Sequence, residues 1–186
     1  MKSGRNGLLV LPTGAGKSLI IADIAARLEE PLIVFQPNKE ILEQNFAKLQ
    51  TYGIWDCSIY SASVGRKEIS RITFATIGSV IRHMKDFQHF KNILIDECHL
   101  VKPSDGMYKR FFEQAERRIV GLTATPYRLY SCMNGSMLKF LTRTRPRVFS
   151  QVLYYCQVSE LLAKGFLSRL KYYDVTRIDL TKVRRN

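Results

Sequence analysis

The sequence predicts an α/β fold in which helices cover both faces of a mostly parallel central sheet. Two observations on its 186 residues support this prediction. Short apolar, β-branched runs alternate with segments of helical periodicity, as they do where parallel strands are buried on both faces. Polar segments directly follow several of these runs, at residues 13–17, 96–97 and 123–125. Because the carboxyl ends of parallel strands meet at one edge of a sheet, these segments can converge on one crevice.

The first 75 residues contain short apolar runs separated by two helical segments. The runs have the length of buried strands, and the helical segments repeat apolar residues three and four positions apart. Asn38 is a residue type that caps helix N-termini, and it precedes the second helical segment. In chain order, we predict a strand at Leu8–Leu11, a helix at Lys17–Glu29, a strand at Leu32–Phe35, a helix carrying Ile41, Leu42, Phe46 and Leu49, and strands at Ile59–Ser61 and Ile72–Ala75.

The second half continues this alternation as far as residue 122 and then changes in character. Helices are predicted at Ile77–His89 and Tyr108–Glu116, and strands at Ile93–Ile95 and Ile119–Leu122. Between Arg117 and Ser159 there is no Asp or Glu, whereas seven residues are Lys or Arg. The last part predicts a loop at Ser131–Ser136, a helix at Ser159–Lys164 that ends at Gly165, and a strand at Leu170–Val175.

The composition favours a globular protein with a polyanionic partner. Apolar residues make up 46% of the chain, and the formal net charge is +13. Lys and Arg bind polyanions by displacing counterions from phosphates, although a solvated basic surface would give the same charge. The cysteines are scattered with no Cys-x-x-Cys pair, which argues against a zinc site. The sequence has no signal peptide and no run of the ~18 apolar residues that a membrane span needs, so we expect a cytoplasmic protein without a membrane partner.

The segment Pro12-Thr13-Gly14-Ala15-Gly16-Lys17-Ser18 has the composition of a phosphate-binding loop. Glycines let phosphate oxygens approach the backbone, and the helix that follows directs its N-terminal N–H groups at an anion. Lys17 can reach the β- and γ-phosphates of a nucleoside triphosphate, and Ser18 can give its hydroxyl to Mg²⁺. Leu11 departs from the general motif, which has glycine at that position. An ordinary strand–helix turn is the alternative interpretation.

Asp96 and Glu97 directly follow another apolar run. Opposite a triphosphate, Asp96 would hold Mg²⁺, partly through water, and Glu97 would orient or deprotonate the attacking water. His99 could relay a hydrogen bond between this pair and its surroundings. The hydroxyls of Thr123 and Thr125, which follow a further strand, could bond to the acidic segment on one side and face nucleic acid on the other. Surface caps at a strand end and a structural histidine are the alternatives.

These segments resemble the motifs of superfamily 2 helicases and translocases of the DEAD/DEAH group. Pro12–Ser18 resembles their motif I, Asp96-Glu97-Cys98-His99 resembles motif II of the DExH type, and Thr123-Ala124-Thr125 resembles motif III. Gln36–Gln44 is similar to motif Ia, and Ala75–Ser79 is similar to a later segment that touches the nucleic-acid backbone. The resemblance covers about residues 7–128, with the motifs in the family's order.

The resemblance implies a RecA-like P-loop NTPase domain that uses ATP and Mg²⁺ and acts on nucleic acid. It also implies that four residues contact the sugar-phosphate backbone, namely Pro37, Asn38, Thr76 and Ser79. Short hydroxyl and amide groups near helix N-termini suit such contacts, which carry no sequence information. We expect DNA rather than RNA, although backbone contacts of this kind do not themselves distinguish the two. N-capping is the alternative role for Asn38 and Thr76.

Members of this group carry a second RecA-like domain, and ATP lies between the two. The sequence has no second phosphate-loop unit and no arginine-rich motif of the family's form. We therefore expect residues 1–150 to be the first, ATP-binding helicase domain and residues 151–186 to be a connector toward an absent second domain. Arginine fingers accelerate related NTPases by roughly 10³–10⁵, so we expect slow hydrolysis from this chain alone. The ending Pro126-Tyr127-Arg128, with Lys164–Leu167 downstream, is similar to RadD-like bacterial helicases and type I restriction motor subunits.

Three functions remain in competition on the sequence. The leading prediction is the ATP-binding domain of a nucleic-acid-dependent ATPase that acts as a helicase or translocase. The second is a P-loop kinase of a small molecule, because the acid-free stretch at 117–159 could imitate an arginine-bearing lid. The third is a non-catalytic nucleic-acid-binding module. Gln36–Gln44 has no evident role in a kinase, and the intact Lys17, Asp96 and Glu97 argue against a decayed nucleotide site.

Overall fold

The computed structural model describes residues 6–102, 104, 106–132 and 135–171 of the chain. Its strands are β1 (Gly7–Val10), β2 (Leu32–Phe35), β3 (Cys57–Ser61), β4 (Arg66–Lys67), β5 (Ile72–Ala75), β6 (Asn92–Ile95), β7 (Arg118–Thr123), β8 (Tyr127–Cys132), β9 (Gly135–Phe140) and β10 (Gln151–Tyr155). Its α-helices are α1 (Lys17–Arg27), α2 (Lys39–Thr51), α3 (Ile77–Val80), α4 (Met107–Phe112) and α5 (Val158–Ala163). Short 3-10 turns lie at Met84–Phe87, Cys98–Leu100 and Leu141–Arg143.

Eight of these strands form one sheet in the order β10-β1-β7-β6-β2-β5-β3-β4. All pairs in it are parallel except the short antiparallel pair of β3 and β4. Strands β8 and β9 form a separate antiparallel hairpin. The predicted α/β class with a mostly parallel sheet is therefore confirmed, and the carboxyl ends of β1, β2, β6 and β7 lie side by side at one edge.

Two apolar layers lie on the two faces of the sheet. Because side chains alternate along a strand, β2 sends Leu32 and Val34 to one layer and Ile33 and Phe35 to the other. Helices α1 and α2 cover the first layer. Helices α3 and α4 and the 3-10 turn at Met84–Phe87 cover the second, where Phe35 meets Phe111 edge to face at 5.3 Å.

The N-terminus of α2 forms as the sequence predicts. Asn38 has an extended backbone, and its side-chain Oδ1 accepts a hydrogen bond of 2.9 Å from the backbone N–H of Ile41. This bond satisfies one of the N–H groups that have no partner within the helix. The buried side of the helix consists of Leu42, Phe46 and Leu49, which is the predicted apolar stripe. The capping role of Asn38 is therefore confirmed.

The predicted helix at Ile77–His89 is wrong over most of its length. The helix ends at Val80, and the chain turns at His83 before the 3-10 turn at Met84–Phe87. Gly78, Ser79 and the β-branched residues around them have low helix propensity. Phe87 is fully buried in the second apolar layer, so tertiary packing decides the path of this segment.

The predicted loop at Ser131–Ser136 is also wrong in part. Ser131 pairs with Ser136, and Cys132 pairs with Gly135, at the end of the β8–β9 ladder. Ladder hydrogen bonds join backbone groups, so pairing that begins between apolar residues can extend into polar ones. Residues 133 and 134 lie outside the described part of the chain.

The segment Gln151–Tyr155, which the sequence places in the connector, forms β10 and adds to the sheet beside β1 in parallel. The predicted helix after it is present as α5, at Val158–Ala163. Most of the predicted strand at Leu170–Val175 falls outside the described residues, as does the rest of the chain beyond residue 171. Helix α4 is shorter than predicted and ends at Phe112.

Candidate nucleotide site and nucleic-acid groove

The loop between β1 and α1 has the backbone conformation of a phosphate cradle. Gly14 and Gly16 have φ angles of 83° and 79°, a region that residues with a Cβ rarely adopt. Gly16 is the residue from which α1 begins, and its carbonyl accepts bonds from the N–H groups of Leu19 and Ile20. A Cβ built on Gly14 would lie 2.8 Å from Cδ2 of Leu167. The backbone therefore favours glycine at residue 14, and the end of the Leu167 side chain would have to move to admit a Cβ.

Lys17 brings this loop into contact with the acidic strand end. Its Nζ lies 2.5 Å from Oε1 of Glu97, and the two side chains are only 17% and 25% exposed. Ser18 follows in the first turn of α1. The loop and the end of β6 therefore face one crevice, as expected from the parallel sheet.

Asp96 is buried, with 6% of its surface exposed. Burial raises the pKa of its carboxyl group, and the nearby Lys17 ammonium opposes that rise. Its Oδ1 accepts a bond of 3.0 Å from the backbone N–H of Glu97, and its Oδ2 accepts one of 3.3 Å from Nδ2 of Asn45. A carboxylate at this position presents oxygen atoms, which are the ligands that Mg²⁺ prefers.

Glu97 has a positive φ angle of 47°, and it is the one non-glycine residue in the described part of the chain with such a backbone. This left-handed conformation is unfavourable for residues with a Cβ and is often found at functional sites. It turns the chain sharply after β6 into the 3-10 turn that holds Cys98 and His99. As a result, neighbouring residues Asp96 and Glu97 present their carboxylates to different partners.

His99 joins Glu97 to the end of β7. Its Nδ1 lies 3.0 Å from Oγ1 of Thr123 and 3.2 Å from Oε2 of Glu97. A carboxylate only accepts hydrogen bonds, so these contacts favour the tautomer with a proton on Nδ1. Thr123 is fully buried, and its Oγ1 also accepts a bond of 3.0 Å from the backbone N–H of Thr125. His99, Thr123 and Thr125 are therefore joined in one hydrogen-bonded chain.

A groove of about 480 Å³ extends from the acidic strand end across the carboxyl ends of β2 and β5. Pro37 and Thr76 line it, together with Asp96 and Glu97. Leu100, Met107 and Tyr108 complete its far side. The acidic pair and two of the predicted backbone-contact residues therefore line one groove, and Lys17 reaches its border through Glu97.

The other two predicted backbone-contact residues lie differently. Asn38 is exposed beside Pro37, but its Oδ1 is used in capping α2. Ser79 is buried with 7% exposed, and its Oγ accepts a bond of 2.9 Å from the N–H of Ala62 and lies 2.9 Å from Oγ1 of Thr76. The hydroxyl of Ser79 therefore holds the loop after β3 rather than lining the groove.

Comparison of the sequence with models of protein families assigns the chain to a family. The model of the type III restriction enzyme res subunit matches residues 2–128, which hold every motif described above. The chain belongs to this family. The res-subunit match, the fold and the motif order together identify residues 7–128 as a RecA-like domain of the superfamily 2 type.

Relatives of this res-subunit domain include proteins named as helicases and translocases. The chain is 28% identical over 127 residues to "DNA 3'-5' translocase XPB2" of Sulfurisphaera tokodaii, covering 67% of this chain and 28% of that protein. It is 27% identical over 164 residues to "Putative ATP-dependent RNA helicase QP509L" of African swine fever virus, covering 84% and 32%. The chain thus spans about a third or less of the length of these relatives.

Solved structures show the same fold as this res-subunit domain. The UvsW helicase from bacteriophage T4 aligns with a TM-score of 0.55 at 22% identity, over 66% of this chain and 48% of that one. The type ISP restriction-modification enzyme LlaGI, solved with a DNA substrate mimic, aligns with a TM-score of 0.61 at 13% identity, over 89% of this chain and 19% of that one. The second alignment extends well beyond the region matched by the family model.

Sequence reasoning gave no individual role to three residues near the site, although Gln36 and Leu167 lie within segments that resemble family motifs. Gln36 and Asn45 contact each other beside Asp96, and Leu167 packs against Gly14. The signal for Asn45 was present, because it is a polar residue three positions after the buried Leu42. No local signal marks Leu167, since its contact depends on how the segment after α5 crosses the sheet edge.

In the described part of the chain, every helix is too short or too polar to cross a bilayer.

Proposed function

We propose that this chain is the ATP-binding half of a nucleic-acid motor that couples ATP hydrolysis to helicase or translocase movement. The observation that carries the proposal is the contact of 2.5 Å between Lys17 of the phosphate loop and Glu97 at the end of β6. It joins the two parts that phosphoryl transfer to water requires, a cradle for the phosphates and a carboxylate to orient the nucleophile. The family match and the names of the relatives support the same activity.

The residues of the crevice fit ATP and Mg²⁺. The positive φ angles at Gly14 and Gly16 leave the loop backbone open to phosphate oxygens, and Lys17 supplies a positive charge for them. We propose that Ser18 and Asp96 hold the metal through oxygen atoms, with Asp96 acting partly through water. When bound, Mg²⁺ would neutralise negative charge on the β- and γ-phosphates.

Glu97 is the residue that we propose acts on the attacking water. Its carboxylate is held by Lys17 on one oxygen and by His99 on the other. Since His99 also contacts Thr123, a change at the end of β7 can alter the position of Glu97. This gives His99, Thr123 and Thr125 their proposed role in coupling hydrolysis to events at the nucleic-acid groove.

We propose that the groove binds the backbone of DNA through Pro37 and Thr76, with Asn38 at its border. The formal charge of +13 favours a polyanion, and two of the similar proteins are named or solved with DNA. Backbone binding of this kind tracks phosphates without reading bases. A viral relative named as an RNA helicase makes RNA the alternative to test.

We also propose that a second RecA-like domain completes the motor. Support comes from the relatives, of which the region shared with this chain covers only 28% and 32%. The body of the first domain would be residues 1–150, with β10 added at its edge, and the rest of residues 151–186 would lead toward the second.

The test is ATP binding and hydrolysis by the 186-residue chain without polymer, with single-stranded or duplex DNA, and with RNA. We expect ATP binding, slow hydrolysis and stimulation by DNA. Lys17→Ala should remove ATP binding, whereas Lys48→Ala, an exposed lysine on α2, should not. Greater stimulation by RNA would overturn the choice of DNA. Transfer of phosphate to a small acceptor, or polymer binding without ATP binding, would overturn the motor itself.

A further inference from the structure

Asn45 connects two residues that lie at the ends of neighbouring strands. Its side-chain Nδ2 is 3.3 Å from Oδ2 of Asp96 and 3.3 Å from Oε1 of Gln36. Asn45 lies on the side of α2 that faces the sheet, between the buried residues Leu42 and Phe46. No other described side chain forms a hydrogen bond with the carboxylate of Asp96.

The chemistry of these groups fixes how the two amides are oriented. The Asp96 carboxylate only accepts hydrogen bonds, so the atom of Asn45 that faces it is the donor Nδ2. The second hydrogen on Nδ2 then needs an acceptor, which sets Oε1 of Gln36 toward Asn45. Nε2 of Gln36 is left buried and without a hydrogen-bond partner in the described structure. Gln36 is therefore fixed at its side-chain oxygen, whereas its nitrogen remains available to donate.

The bridge joins the metal side of the crevice to the nucleic-acid side. Gln36 follows β2, and its N–H donates to the carbonyl of Ala75 at 3.0 Å. Asp96 follows β6, and its N–H donates to the carbonyl of Phe35 at 3.0 Å. Both residues line the same groove, and Gln36 directly precedes Pro37. A displacement of the Gln36–Pro37 segment would thus reach Asp96 through one side chain.

We propose that Asn45 is a positioning residue that orients the Asp96 carboxylate and ties it to the strand end that contacts nucleic acid. The proposal rests on the proposed function, since it gives Asp96 the metal and Pro37 the nucleic-acid backbone. It differs from the His99–Thr123 path, which reaches Glu97 from the opposite side of the crevice. The two carboxylates are thereby connected to the groove and to the end of β7 by separate hydrogen bonds.

The first test compares Asn45→Leu, which keeps the size of the side chain and removes its donor, with the wild-type chain. The measurement is the Kd of a fluorescent ATP analogue in excess Mg²⁺ and in EDTA. We expect the Kd in EDTA to change by less than about twofold, because the phosphate loop is untouched. The Kd in Mg²⁺ should rise, so that the ratio of the Kd in EDTA to the Kd in Mg²⁺ falls about tenfold. This is the usual effect of removing a partner that orients a metal ligand.

The matched control is Gln50→Leu, which removes an amide from the last turn of the same helix. It should leave both Kd values at the wild-type level. A ratio in Asn45→Leu equal to that of the wild type would overturn the proposal. So would an equal weakening of both Kd values, since a merely structural role would act on the whole site. If Asn45→Leu loses its cooperative thermal transition, Asn45→Ala and Asn45→Ser supply the same comparison.

The second test asks whether Asn45 and Gln36 act through one bridge. Single-stranded DNA is added, and its effect on the Kd of the magnesium-bound analogue is measured for Asn45→Leu, Gln36→Met and the double variant. Residues that act as one unit give non-additive effects, so we expect the double variant to resemble each single one. Effects that multiply would overturn the link. A wild-type chain that binds no analogue would instead show that the proposed function itself has failed.

Discussion

The central strand ends and the hairpin beyond β7 show two opposite ways of placing side chains. At the ends of β1, β6 and β7, functional groups are buried and held by several partners, as Asp96 and Thr123 are at 6% and 0% exposure. On the β8–β9 hairpin, large apolar side chains are exposed, with Leu129 at 66% and Leu138 at 58%. The sheet fixes the backbone of the first region, so this region can hold functional side chains in defined positions. None of the described side chains of the second is buried, so the hairpin depends on attachment at its base.

Arg128 is one point of that attachment, beside the backbone bond from Leu141 to Pro126. Its guanidinium donates to the carbonyls of Val101 and Leu100, at 2.7 and 3.3 Å, just after the 3-10 turn that holds His99. Isolated two-stranded hairpins are only marginally stable in water. The comparison therefore predicts that changes in the hairpin leave the nucleotide site intact, whereas changes at the strand ends abolish activity without unfolding the protein.

The largest expected effect is on hydrolysis in Glu97→Gln. Removing a general base or water-orienting carboxylate typically lowers rates by about 10²–10⁴-fold. ATP binding should be retained, because the loop at Gly14–Gly16 is unchanged. The measurement is single-turnover hydrolysis alongside the Kd for ATP. The paired variant, Leu129→Ser with Leu138→Ser in the hairpin, should keep both values, and a similar loss there would contradict the separation of the two regions.

The next effect is on stability. Phe111 is fully buried and meets Phe35, so Phe111→Ala should lower the free energy of unfolding by about 3–5 kcal/mol. Leu138→Ala in the exposed hairpin should change it by about 0.5 kcal/mol or less. Urea unfolding of both variants checks this. Equal losses would mean that the exposed face of the hairpin is covered in solution.

A smaller effect is expected from Gly14→Ala. Alanine at a φ of 83° should cost about 1–2 kcal/mol of stability, and its Cβ would also meet Leu167. ATP affinity should fall as the loop shifts. Gly65→Ala is the matched control, because Gly65 has a φ of 80° but open space around it and lies after β3. It should show the backbone cost alone, with unchanged ATP affinity by calorimetry.

The smallest effect is expected from Arg128→Ala. Loss of its bonds to two carbonyls should release the base of the hairpin while changing global stability by less than about 1 kcal/mol, because much of the hairpin is exposed. Hydrogen exchange should become faster for the amides of β9. Lys139→Ala, whose ammonium lies over the ring of Tyr130, should leave that exchange slow. Unchanged exchange in Arg128→Ala would show that the hairpin is held elsewhere.

What the sequence could predict follows from the range of the interactions involved. Gly16 beside Lys17 and Asn38 before α2 act within a few residues, so their signals are local and the structure confirms them. The pairing of Gly7 with Gln151 joins distant parts of the chain, and nothing near Gln151 states which strand it will meet. Asn45 belongs to the same class, because its partners are set by how α2 crosses β2 and β6.

The early end of α3 at Val80 shows a third case, in which local preference and packing disagree. A helical pattern continues through Phe87, yet Phe87 and Phe90 are both fully buried and stack at 5.9 Å. Burial of two aromatic rings outweighs the modest cost of ending a weak helix early. The periodicity of the sequence predicts which side chains are buried. In this segment it does not predict the backbone conformation that buries them.

The pairing of Lys17 with Glu97 has a consequence for the order of events. One ammonium group cannot fully neutralise a carboxylate and a triphosphate at once, so an arriving nucleotide competes with Glu97 for it. Under the proposed function, a bound triphosphate would draw the Lys17 ammonium away from the Glu97 carboxylate. Nucleotide binding and release of the Glu97 carboxylate would then be one exchange of anions, so the base that we propose would be free only when the site is filled.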